Sequence, residues 1–212
     1  MRPVSFDFTD SVDDATARRD VCVVVLGGSL AVGTGDPKAQ GWVTRVLGRT
    51  RADDLRLTAY NLAVVGDTTA AIVHRLDAEA QERWAGHAER RLVVSAGPED
   101  ARAGISIARH RLNLANALDT TGSSGIRSFV VGPAPTGEDA FDDVLASYAE
   151  AQADVCSRRN VPFVDCMTPL RRYEQWHTDL ATGDGLPGQA GYGLIAWLVL
   201  NNGWRTFMGI AG

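Results

Sequence analysis

Apolar residues along this chain follow two rhythms. Short, largely β-branched runs are each bounded by glycine, proline or charged residues, and they predict five strands: Val21–Leu26 (VCVVVL), Leu55–Leu62, Leu92–Ser95, Arg127–Val131 and Val161–Val164. Between them, apolar positions recur at three- and four-residue spacing. They predict helices over Pro37–Arg49 (Trp42, Val43, Val46, Leu47), from Thr69 to about Trp84 (Ile72, Leu76, Ala80) and over Ala101–Leu118 (Ile105, Ala108, Leu112, Ala115). Two more are predicted over Asp139–Arg159 (Phe141, Val144, Leu145, Tyr148, Ala149) and Gln189–Leu200. Residues 1–20 read as a loose lead-in, and the stretch from Arg171 to the last helix as an irregular loop. Strands that alternate with helices form βαβ units, which give a parallel sheet covered on both faces. The expected fold is α/β, a three-layer α/β/α sandwich on a flavodoxin-like five-stranded parallel sheet.

The strand ends carry the chemistry. VCVVVL is apolar at every position, as befits a strand buried on both faces, and it stops at Gly27-Gly28-Ser29. In open α/β sheets the carboxyl ends of the strands form the rim where ligands bind. Ser29 at that rim reads either as a nucleophile or as a helix cap. Gly66 follows the second strand and Glu99-Asp100 the third, so all three positions are expected to converge although far apart in sequence. The Asp184 loop immediately precedes the last helix and is expected to fold over the same rim.

Composition narrows the partners. With 212 residues, 45% of them hydrophobic, the chain supports one full-sized core, expected over 21–212. The net charge of −5 and the lack of a long basic run argue against nucleic acid. No apolar run has the length of a membrane span. The N-terminal stretch is polar and acidic, unlike a signal peptide. Three cysteines without metal spacing fit a reducing cytoplasm. These features suit a cytoplasmic protein with a small-molecule substrate and no cofactor, and leave the oligomeric state open.

Four blocks then give a resemblance. Leu26-Gly27-Gly28-Ser29-Leu30 resembles the first block, Gly-Asp-Ser-Leu, of the SGNH hydrolase superfamily, the GDSL-type esterases and lipases. Asn61 to Thr69 (NLAVVGDTT) is similar to its second block, Ser95 to Asp100 (SAGPED) to its third, Gly-x-Asn-Asp, and Gly183 to Tyr192 (GDGLPGQAGY) to its last, Asp-Gly-x-His-Pro. The resemblance covers about residues 20–205. It implies that Ser29 attacks an acyl carbonyl, that Asp184 supports a histidine base, and that the oxyanion is held by the N–H groups of Ser29 and Gly66 and by position 99.

The resemblance breaks at three positions. The first-block aspartate is Gly28, the third-block asparagine is Glu99, and no histidine stands between Leu186 and Pro187. Losing one oxyanion donor costs about 10²- to 10³-fold in rate, and losing the base of a serine triad about 10⁶-fold. Weak or absent ordinary esterase activity is therefore expected. Two groups are candidates to fill the gap. His177 lies seven residues before Asp184, and Glu99 is presented by a turn that Pro98 stiffens, placed for acid–base work. His74, His87 and His110 are expected on helices, solvated and away from the rim. Arg102 reads either as a partner for one of the rim acids or as a group for a substrate carboxylate or phosphate. Asp67, Glu99, Asp100 and Asp184 carry oxygen ligands suited to a hard cation, but no metal site is expected, because aspartates at positions 67 and 100 more often brace loops in the fold this chain resembles. Trp176, Tyr173 and Tyr192 read as pocket walls or as core.

Overall fold

A computed structural model describes residues 18–210. The lead-in expected at the N-terminus lies outside the described residues up to position 17. The five strands are β1 (Arg19–Gly27), β2 (Leu55–Asn61), β3 (Glu89–Ser95), β4 (Arg127–Val131) and β5 (Phe163–Val164). All neighbours pair in parallel, in the order β2-β1-β3-β4-β5. The α/β/α sandwich expected from the alternation is thus the fold.

The helices in chain order are α1 (Ser29–Val32), α2 (Gly41–Leu47), α3 (Thr69–Arg75), α4 (Gln81–Trp84), α5 (Glu99–Arg102), α6 (Ile107–Ser123), α7 (Asp139–Ser157), α8 (Met167–Leu170), α9 (Glu174–Thr182), α10 (Gln189–Val199) and α11 (Arg205–Met208). Wide π-type turns join α3 to α4 and α10 to α11. β1 serves both layers of the core. Val21, Val23 and Val25 face one layer with Trp42, Trp176, Tyr192, Trp204 and Phe207, while Cys22, Val24 and Leu26 face the other with Ile72, Leu76, Trp84, Leu114 and Val155. No helix among the described residues is long and apolar enough to cross a membrane.

Three expectations of secondary structure are corrected. The helix expected over Ala101–Leu118 is two helices, because Gly104 takes a left-handed φ of 68° and ends α5. The stretch after Arg171, expected to be irregular, contains α9, whose Trp176 and Leu180 are buried. The helix expected from Pro37 begins only at Gly41, since Asp36 turns the intervening loop by accepting the N–H groups of Lys38 (2.9 Å) and Gly41 (3.0 Å).

The sheet order sets the position of the site. The chain moves from β1 outward to β2, then returns to place β3 on the other side of β1. The carboxyl ends of β1 and β3 therefore flank a topological switch point, where such sheets leave a crevice for ligands. Gly27 and Ser95 are partners in register, and Gly28 N–H donates to Ser95 O at 3.3 Å.

Candidate active site

Ser29 opens α1 directly after β1, and Gly28 is the N-cap residue of that helix. The bland reading of Ser29 as a cap is therefore not the arrangement found. Ser29 is half-buried, and among the described residues no group hydrogen-bonds its Oγ. From the second block, Asn61 Nδ2 donates to Ala31 O at 2.8 Å, tying the end of β2 to α1. Gly66 is exposed with φ of 87°, a backbone conformation that requires glycine, and lines neither cavity described below.

Glu99 is the first residue of α5, after Pro98, and it points back to β1. Its Oε1 accepts the Ser29 N–H at 2.8 Å. The carboxylate is buried, and Oε2 has no hydrogen-bond partner. Two glycines make room for it. A Cβ on Gly28 would lie 2.2 Å from Glu99 Oε1, and a Cβ on Gly97 would lie 2.6 Å from Oε2. The glycine where the resembled family has aspartate and the glutamate where it has asparagine are thus in contact with each other.

Asp100, the next residue, turns the opposite way. Its Oδ1 accepts the Thr69 N–H at 2.7 Å, and its Oδ2 accepts the Thr69 hydroxyl at 2.5 Å and faces His110 Nδ1 at 2.7 Å. Burial alone would push this carboxyl up, but the bonds from His110 and Thr69 outweigh it and hold the pKa below the usual carboxylate value. Asn113 Nδ2 donates to Thr69 Oγ1 at 3.0 Å. His110, expected to be solvated, is fully buried on α6. His74 is exposed, and His87 pairs with Asp20 at 2.9 Å. Nothing in the sequence pattern marked His110, because only the tertiary fold places it beside Asp100.

A cavity of about 40 Å³ opens beside Ser29, walled by Leu30, Pro98, Arg102, Trp176, Leu186 and neighbouring backbone. An adjoining cavity of about 440 Å³ shares Arg102, Thr136, Leu180, Gly185 and Leu186 with it and adds Glu138, His177 and Asp184. Ser29 and Asp184 thus line two adjoining cavities that share five wall residues. Asp184 is exposed, with φ of 51°. His177 is exposed on α9, and its Nε2 lies 2.8 Å from Arg171 O, so no hydrogen bond joins it to Ser29. Arg102 stacks over the Phe141 ring at 5.6 Å and has no carboxylate partner among the described residues. Of the three aromatics, Trp176 and Tyr192 are fully buried, and Trp176 also walls the Ser29 cavity, whereas Tyr173 is exposed in a separate apolar groove with Trp197.

The four rim acids do not gather. Asp67 pairs with Arg75 at 2.7 Å, Asp100 with Thr69 and His110, and Glu99 with Ser29 N–H; among the described residues no group of three His, Cys, Asp or Glu side chains is placed to hold a metal. Asp179, which the sequence did not single out, caps α10 from α9. Its Oδ2 accepts the N–H groups of Gly188 (2.5 Å) and Gly191 (2.8 Å). That cap fixes one end of the loop carrying Asp184 and Leu186.

Solved structures with the same architecture include a lipolytic G-D-S-L family member from Veillonella parvula (17% identity over 87% of this chain and 99% of that one, TM-score 0.73). A lipase/acylhydrolase from Enterococcus faecalis is similar at 21% identity (86% and 94%, TM-score 0.69), and the acetylxylan esterase Axe2 from Geobacillus stearothermophilus at 15% (93% and 98%, TM-score 0.65). No curated protein matches significantly. Residues 25–194 match the family described as GDSL-like lipase/acylhydrolase, a span that runs from β1 through all four blocks into α10. The chain belongs to that family.

Proposed function

We propose that this family member acts on an ester or acyl-bearing small molecule at Ser29, with Glu99 in place of the usual histidine as acid–base partner, and that its turnover of simple esters is weak. The observation that carries this reading is the 2.8 Å contact between the Glu99 carboxylate and the Ser29 N–H, in a cradle formed by Gly28 and Gly97. In this reading Ser29 Oγ adds to the acyl carbon as its proton passes to Glu99. The proton then leaves with the alcohol, and a water molecule repeats the sequence to release the acid. Turnover is slow because Glu99 also sits on an amide that would otherwise bind the oxyanion. The second candidate base, His177, is less favoured, because its Nε2 is engaged by Arg171 O. The substrate is expected to enter by the groove past Arg102, which would meet a carboxylate or phosphate on it. Three free, buried cysteines support the reading of a reducing cytoplasm.

The test is turnover of p-nitrophenyl acetate together with fluorophosphonate labelling of Ser29. Glu99→Gln, which cannot accept the proton, is expected to lower turnover at least about 10²-fold. Glu99→Asn combined with a histidine inserted between Leu186 and Pro187 is expected to raise it above wild type. A Glu99→Gln protein as active as wild type would overturn the assignment. A second reading is favoured by the unpartnered Oε2 of Glu99. Here the pocket uses its carboxylate for a rearrangement, cyclisation or elimination, with no labelling of Ser29 but full dependence on Glu99. Silence in both assays, with a small molecule that still raises the melting temperature, would instead leave a binding protein.

A further inference from the structure

We propose that His110 is a positioning residue for the Ser29 site. Through Asp100 it sets the place of both Glu99 and the loop that carries Gly66. This rests on the reading of Ser29 and Glu99 given above.

Helix α5 is only four residues long. One helical turn has too few internal hydrogen bonds to hold itself in register, so side-chain tethers fix where it points. Its first two residues are back-to-back acids. Glu99 reaches Ser29 N–H, and Asp100 reaches Thr69 and His110. A shift of Asp100 therefore moves Glu99 with it. Thr69 begins α3 only three residues after Gly66, so the same carboxylate also anchors that loop.

His110 supplies the rigid end of the chain of contacts. It sits in the first turns of the 17-residue α6, whose N-terminus Ser106 caps. The Tyr148 ring meets its imidazole edge-on at 5.1 Å, and the Tyr148 hydroxyl donates to Ile105 O at 2.5 Å. His110, Asp100 and Thr69 are each no more than 2% exposed. Nδ1 is the nitrogen facing Asp100 Oδ2, so it is assigned the proton, and the buried Nε2 has no partner. A leucine would fill this volume without leaving a nitrogen unpaired, which ordinarily carries a cost. What the imidazole adds is the Nδ1 donor on Asp100.

The test uses the ¹⁵N-labelled full chain and two amides, Ser29 (resonance position) and Thr69 (hydrogen exchange). Asparagine at 110 places its amide nitrogen near the Nδ1 position, whereas glutamine places it near Nε2. His110→Leu and His110→Gln are expected to shift the Ser29 amide resonance and to speed Thr69 exchange about tenfold, and His110→Asn to restore both. Leu114→Ala, a core variant on the same helix, is expected to lose melting temperature without moving the Ser29 resonance. If His110→Leu does not fold, the contrast between His110→Gln and His110→Asn carries the test alone. Unchanged Ser29 and Thr69 amides in His110→Gln, or His110→Asn behaving like His110→Gln, would overturn the proposal, as would an equal Ser29 shift in Leu114→Ala. None of these readouts needs turnover. A Ser29 that never labels would therefore defeat the acyl-transfer reading and leave this inference to stand or fall by itself.

Discussion

One methyl group added at Gly28 tests the geometry beside Ser29 directly. The Gly28 backbone has φ of −94° and ψ of −151°, in the extended region, so alanine meets no left-handed strain there. Its Cβ would nevertheless lie 2.2, 2.4 and 2.7 Å from Glu99 Oε1, Cδ and Oε2. Gly97 lies close on the other side, where a Cβ would be 2.6 Å from Oε2. Either the site tolerates the overlap, at about 1–3 kcal/mol for overpacking, or the carboxylate leaves and forfeits its bond from Ser29 N–H, at about 1.5–3 kcal/mol. The two are alternatives and do not add. For a domain of this size about 1–3 kcal/mol lowers the melting temperature by roughly 2–12 °C. In a Glu99→Ala background the obstacle is gone, and Gly28→Ala is expected to cost less than about 0.5 kcal/mol. Thermal and urea unfolding of the four proteins would close the cycle. If Gly28→Ala destabilised both backgrounds equally, the carboxylate would not be where the cradle argument puts it.

Two further outcomes follow from carboxylates that accept backbone N–H groups. Asp100 has a folded pKa below its unfolded value, so its contribution is present above the unfolded pKa of about 3.9 and fades as pH falls through the folded value. Asp100→Asn is expected to melt below wild type at pH 5–7, with the gap narrowing below about pH 4; a gap that widened in acid would reverse the sign and refute the pairing. Asp179→Ala removes the acceptor for Gly188 and Gly191 N–H. It is expected to cost about 0.5–2 kcal/mol, the usual value of a lost helix cap, and to speed hydrogen exchange at those two amides while leaving α6 amides unchanged.

The sheet was legible because β1 has no polar position between Val21 and Leu26, and a short β-branched run that ends at two glycines fits a strand buried on both faces. Ser29 was legible for a related reason: Gly27-Gly28 breaks that run abruptly at the rim. α9 was missed because its amphipathic signal is only Trp176 and Leu180, four residues apart among charged and polar neighbours, and it precedes a glycine-rich loop. His110 was missed for a deeper reason. A lone histidine on a helix carries no sign of burial, and its partner Asp100 comes from a separate helix that Gly104 breaks away from α6. Asp179 was overshadowed by Asp184, which stands where the resembled block has its aspartate but is exposed, while Asp179 makes the hydrogen bonds.

The substitutions at 28 and 99 are not independent of each other. An aspartate at 28 needs a Cβ where the Glu99 carboxylate lies, and a glutamate at 99 needs glycine at both 28 and 97 to be seated on the Ser29 amide. A site decaying by unrelated changes gives no reason for one departure from the family pattern to make room for the other. Nor does decay account for the support behind Glu99, where its neighbour Asp100 is held by three hydrogen bonds in a region closed to solvent. The position between Leu186 and Pro187, where the resembled block has its histidine, lies on a separate loop that walls the Ser29 cavity and is fixed at one end by Asp179. Oε1 seated on the Ser29 N–H between two glycines fits the acid–base role proposed for Glu99 better than it fits an inert remnant.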